Sequence, residues 1–151
     1  ISAFIDIPPV RNADGTAGEQ TEMGSLWFTG EQDRDIAYVL SVSRLMFAWW
    51  RMWGDDFHVT QEVLGSLPVG AHQLSDTARS AILQVAPEVR NLQTSGLTFK
   101  KNSGKEIGNW DLSEVRAQLD LLESEWFAEL GFGHLWPVIV SACSADLPRT
   151  L

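Results

Sequence analysis

Asp55, Asp56 and His58 are the one compact cluster of catalytic residue types in this chain. Two carboxylates and an imidazole at that spacing are donors that a divalent cation or a general acid–base step uses. A metal centre needs further ligands, and the other histidines, His72 and His134, stand in no matching pattern. Helix termination and loop hydrogen bonding explain the same three residues, so no metal site and no catalytic residue is expected. No serine lies in a nucleophile elbow, and Gly104 and Gly108 in GKEIG lack the spacing of a phosphate loop.

A second group, Lys100, Lys101, Asn102 and Lys105, offers ammonium and amide donors of the kind that serve phosphate oxygens. No acidic residue occurs between Glu88 and Glu106, and Arg90 shares that span. A solvated strand end explains these residues without a ligand. The whole chain is acidic, with a formal net charge of −9 over 151 residues. That argues against a free-standing nucleic-acid binder, because Lys and Arg supply most non-specific affinity for phosphate. A cationic stretch on an acidic body still permits one local phosphate-facing surface.

The elements that must position these groups read as α+β, with three main helices around a buried aromatic-rich helix and a few short strands. From Ile36 to Trp53 only Ser41, Ser43, Arg44 and Arg51 are not apolar, which predicts one long enclosed helix opened by Glu31, Asp33 and Asp35. Ala37, Ser41, Arg44, Ala48, Arg51 and Asp55 follow helical spacing and predict a narrow small and cationic stripe. Two arginines within that run argue against a membrane span.

Residues 2–7 and 25–29 read as strands, the first ended by Pro8 and Pro9. Residues 11–24 are a polar loop, and a brief helical turn precedes Pro68 and Gly70. Leu74, Ala78, Ala81, Ile82, Val85, Val89 and Leu92 predict a helix capped by Ser75 or Asp76, with Pro87 expected to kink or divide it. Residues 95–101 alternate as a strand, and Asn102, Ser103 and Gly104 make a turn. Asp111 and Glu114 have capping-box spacing before a helix carrying Val115, Leu119, Leu122, Trp126 and Leu130 and ended by Gly131. Residues 135–143 are apolar around Pro137, and their type stays open.

Apolar residues make up 44% of the chain, enough for one domain with a hydrophobic core. Seven tryptophans are many for this length, and most of them are expected in the core. A single cysteine, Cys143, excludes an intrachain disulfide and suits a reducing compartment, hence a cytoplasmic location. The chain starts at Ile1 rather than Met, which reads as a piece of a longer protein.

Residues 43–60, SRLMFAWWRMWGDDFHVT, are a serine-containing aromatic helix followed by acid, His, a hydrophobic residue and Thr. Downstream come LPVG at 67–70 and FKKNSGKEIGNWDLSEVRAQLD at 99–120, a lysine and asparagine turn leading to a Gly-Asn-aromatic step and a helix. In this order the three stretches resemble the C-terminal, non-catalytic region of type II and type IIG restriction-modification enzymes that methylate adenine in DNA. The chain departs from that pattern at Arg44, where a small residue is usual, and at Asp56, where glycine is commoner.

The resemblance implies a target-recognition or accessory domain, 1–151, at the C-terminal end of a larger methyltransferase. S-adenosylmethionine binding and base clamping would then belong to an upstream catalytic domain, since Ile7, Pro8, Pro9 and Val10 hold two prolines without the acceptor or stacking ring of a base clamp. The implied partners are double-stranded DNA and that catalytic domain. Lys100, Lys101, Asn102 and Lys105 are the expected phosphate contacts, and Arg51 and His58, at the loop after the core helix, are further expected contacts. The rival reading is a protein-interaction or structural module without nucleic-acid contact, anchored by exposed tryptophans such as Trp110.

Overall fold

The structure, a computed structural model, describes residues 9–19, 25–54, 60–67 and 70–146. Two short strands, β1 (Val10–Arg11) and β2 (Ala17–Gly18), precede the helices α1 (Glu31–Ser41), α2 (Arg44–Trp53), α3 (Gln61–Gly65) and α4 (Asp76–Ser95). The hairpin β3 (Leu97–Asn102) and β4 (Lys105–Trp110) follows, and then α5 (Arg116–Glu129) and α6 (Trp136–Asp146). The four strands form one antiparallel sheet in the order β2-β1-β4-β3. Six helices beside one small antiparallel sheet among the described residues make this an α+β fold.

The core lies among α1, α4 and α5. Ile36, Val39 and Leu40 of α1 meet Ile82, Val85, Ala86 and Val89 of α4, and Val115, Leu119 and Trp126 close the third side. The α4 residues fall at the three- and four-residue steps that keep one helical face inward. Ser75 caps α4 by accepting a hydrogen bond from the Ala78 N–H at 3.1 Å. Pro87 neither divides nor ends this helix, because the buried residues on both sides of it pack into the same core.

The single helix expected over residues 36–53 is two helices. Ser43 breaks it: its hydroxyl donates to the Leu40 carbonyl at 2.6 Å and accepts from the Met46 N–H at 3.0 Å. One side chain thereby satisfies the end of α1 and the start of α2, the role for which serine is favoured at an N-cap. Burial divides at the same point. Most of the second half of α1 is enclosed, whereas in α2 only Met46 is fully buried and Met52 and Trp53 are exposed.

The strand expected at 25–29 is irregular and exposed, because its β-forming residues find no ladder partner there. Residues 2–8 and 55–59 lie outside the described residues, and with them the first expected strand and the Asp55, Asp56 and His58 cluster. Pro9 extends the β1–β4 pairing by one residue, its carbonyl accepting from the Gly108 N–H at 2.7 Å. The capping box expected at Asp111 and Glu114 is instead a turn in which Asp111 accepts from the Ser113 N–H, and α5 starts after one 3-10 turn. Gly131, at φ +82°, follows α5 as expected. The tail left open by its sequence is helical, with Pro137 in the first turn of α6, where its missing N–H has no intrahelical role. Among the described residues no helix is long and apolar enough to cross a membrane.

Candidate nucleic-acid interface

The β3–β4 hairpin carries four of the six expected contact residues, and its turn explains its shape. Ser103 and Gly104 have φ of 49° and 81°, the two positive values that a two-residue type I′ turn requires. The turn fixes the register, with Asn102 opposite Lys105, Lys101 opposite Glu106, and Lys100 opposite Ile107. Directly opposed residues share a face and neighbours along a strand alternate. Lys100, Asn102 and Lys105 therefore stand on one face, and Lys101 stands on the other. All four are exposed.

β1 adds a third strand beside β4, with Val10 opposite Ile107 and Arg11 opposite Glu106. This puts Arg11 on the Lys101 face, where its guanidinium carbon lies 3.9 Å from the centroid of the Phe99 ring. A cation over an aromatic face is attracted by the ring quadrupole and gives up part of its hydration. Arg11 had no signal in the sequence, because only strand pairing brings residue 11 beside residues 99–106.

The other expected contacts lie elsewhere. Arg51 occupies the last turn of α2, exposed, with its guanidinium carbon 5.9 Å from the Trp50 ring. α2 packs on α1, α3, α5 and α6, while the strands pack on one another and on the end of α4. The hairpin lysines and Arg51 thus sit on elements with no substantial packing between them. His58 lies outside the described residues. Among the described residues no three His, Cys, Asp or Glu side chains come together as a metal site.

Arg44 is not part of an exposed cationic stripe. Its guanidinium grips Asp120 of α5 through Nε at 2.7 Å and Nη2 at 3.0 Å. Arg116 also reaches Asp120, through Nε at 2.8 Å, and donates through Nη2 to Glu123. Glu123 is fully buried and accepts from the backbone N–H of Arg44 at 2.8 Å and of Leu45 at 3.3 Å. A carboxylate there satisfies two orphan donors and complements the positive end of the α2 dipole. Burial pushes the Glu123 carboxyl up to about 7, against the pull of Arg116 and the two N–H groups. Burial also opposes the charge of Asp120, but Arg44 and Arg116 outweigh it and hold that carboxyl below its ordinary range. The cluster joins α2 to α5. Its sequence signal was an acid on the apolar stripe of α5, four residues after Leu119 and three before Trp126.

A separate surface is aromatic. Trp27 is 91% exposed in the irregular segment before α1, and Trp53 and Met52 are 67% and 65% exposed at the end of α2. The Gln61 side chain donates to the Ser25 carbonyl at 3.0 Å, which sets that segment beside α3. The Trp49 indole donates to the Ser66 hydroxyl and joins α2 to the end of α3. A shallow groove lined by Trp49, Trp53, Thr60 and Val63 runs between these two helices. Trp110 is held by backbone pairing with Leu97, and its side chain lies outside the described residues.

No protein-family model, curated protein or solved structure matches this chain.

Proposed function

We propose that the chain is a DNA-recognition or accessory domain of a restriction-modification adenine-specific DNA methyltransferase. In this reading the transfer chemistry and S-adenosylmethionine belong to a separate catalytic domain. The observation that carries the DNA contact is the hairpin, which presents Lys100, Asn102 and Lys105 together on one exposed face. Three hydrogen-bonding side chains on a rigid two-stranded ribbon suit phosphate oxygens, and a ribbon of this width fits a DNA groove. The resemblance of residues 43–60 and 99–120 to such enzymes supplies the reaction context.

The exposed aromatic surface supports the second contact this reading needs. Large exposed apolar side chains clustered near one another mark protein-binding surfaces more than chance exposure. Trp27, Met52 and Trp53 would face the catalytic domain while the hairpin faces DNA. Location in the cytoplasm follows from that function.

The test is titration of labelled duplex DNA with the chain and with its Lys100→Ala/Lys101→Ala/Lys105→Ala variant at two salt concentrations. The proposal expects weaker binding for the variant, by a similar factor on unrelated sequences, and a flatter salt dependence. Equal affinity and equal slope would remove the hairpin as a DNA contact and leave the protein-interaction reading.

A further inference from the structure

The two faces of the β3–β4 ribbon differ in charge logic although each carries two cations. On one face a cross-strand row runs Arg11, Glu106, Lys101, because Arg11 and Lys101 are both opposite Glu106. A carboxylate opposite both cations lowers the positive field that a phosphate would meet on this face. Arg11 is also occupied by the Phe99 ring.

The opposite face holds the rows Val10, Ile107, Lys100 and Asn102, Lys105, with Thr98 and Asn109 beyond. No acidic residue belongs to those rows. The acid nearest this face along β4 is Asp111, just past the strand end. The Ser113 N–H holds its carboxyl below the ordinary range, and the field of Lys100 reaches it as well. Val10 is buried and Ile107 half-buried, so this face has an apolar root, with Lys100, Asn102 and Lys105 exposed around the tip.

We infer that the ribbon meets duplex DNA with the Lys100, Asn102 and Lys105 face alone, and that Arg11 and Lys101 do not contact phosphate. The inference rests on the DNA reading above and makes it one-sided. Lys100 and Lys105 bind backbone phosphates, and Asn102, between them at the turn, donates through its amide. Glu106 acts as a charge guard that keeps the opposite face from competing for the same strand.

Two variants with the same change in net charge separate the faces: Lys100→Ala/Lys105→Ala and Arg11→Ala/Lys101→Ala. Binding of a labelled duplex is followed from about 50 to 200 mM salt, where each phosphate contact contributes roughly 0.9 to the slope of log affinity against log salt. Loss of the Lys100 and Lys105 pair is expected to flatten the slope by about two such contacts. Loss of the Arg11 and Lys101 pair is expected to leave it unchanged. Thermal melting of both variants checks that the sheet persists, and Lys101→Gln gives a milder probe if the Arg11 variant melts early. A third variant, Glu106→Gln, removes the guard and is expected to tighten binding through Arg11 and Lys101. Equal flattening by the two pairs, or unchanged affinity of Glu106→Gln, overturns the one-sided assignment while the DNA reading stands. Absence of any duplex binding by the unaltered chain overturns both.

Discussion

Replacing Glu123 by alanine should strongly destabilise the protein, and the amount follows from what its carboxylate holds. The side chain is fully buried, accepts from the Arg44 and Leu45 N–H groups, and pairs with Arg116. Its removal strands two backbone donors at the start of α2 and leaves Arg116 beside an apolar gap. Breaking a buried pair in this way costs about 3–5 kcal/mol. For a chain of this size that lowers Tm by on the order of 10 °C.

The assay is urea unfolding at pH 8, with the denaturant slope compared to show that the same surface unfolds. A second arm uses pH. The folded carboxyl is raised from 4.5 to about 7, so between those values the folded state binds a proton that the unfolded state releases. The pH-dependent part of this group's contribution is complete below the lower value and is lost as pH rises through the upper one, while the hydrogen bonds that alanine removes are missing from the variant at every pH. Unfolding free energy of the unaltered protein minus that of Glu123→Gln should therefore fall by on the order of 3 kcal/mol from pH 4.5 to 7, then level off. An alanine variant within about 1 kcal/mol of the parent, well short of a broken buried pair, would refute the reasoning. So would a pH-independent difference.

Ser43→Ala removes the cap of α2 and the hydroxyl bond to Leu40, and should cost about 1–2 kcal/mol in the same unfolding assay. In the hairpin, Gly104→Ala should cost about 1 kcal/mol because its φ is +81°, whereas Ser103→Asn should be neutral or stabilising because Asn-Gly favours a type I′ turn. Trp27→Ser should shift stability by less than about 0.5 kcal/mol, and under the proposed function it should weaken association with a separate methyltransferase domain in a pull-down.

Periodicity made most of the helical frame legible. The α4 stripe, its Ser75 cap, and the apolar face and glycine stop of α5 need only local pattern, and the structure has them there. Local pattern misled at Ser43, where a serine in an apolar run reads as one polar position inside a continuous helix. Its hydroxyl competes for backbone groups at both helix ends, and that competition outweighs the helix propensity of the flanking residues. Arg44 misled for a different reason: its partner, Asp120, is remote in the chain, so its ion pair had no sequence signature. The hairpin lysines were legible as a cationic run, but their division between two faces was not. That division depends on the register set at Ser103 and Gly104 and on the arrival of β1 beside β4.

Contact between the hairpin tip and duplex DNA can be read by site-specific crosslinking. Cys143 is buried, so Ser103→Cys provides the one accessible thiol for a photoreactive label at the turn. Leu121→Cys, at an exposed site on α5, is the control. A label at residue 103 is expected to crosslink to a bound duplex on irradiation, and a label at residue 121 is not. A bound duplex that crosslinks from neither position, or from residue 121 alone, would contradict that contact.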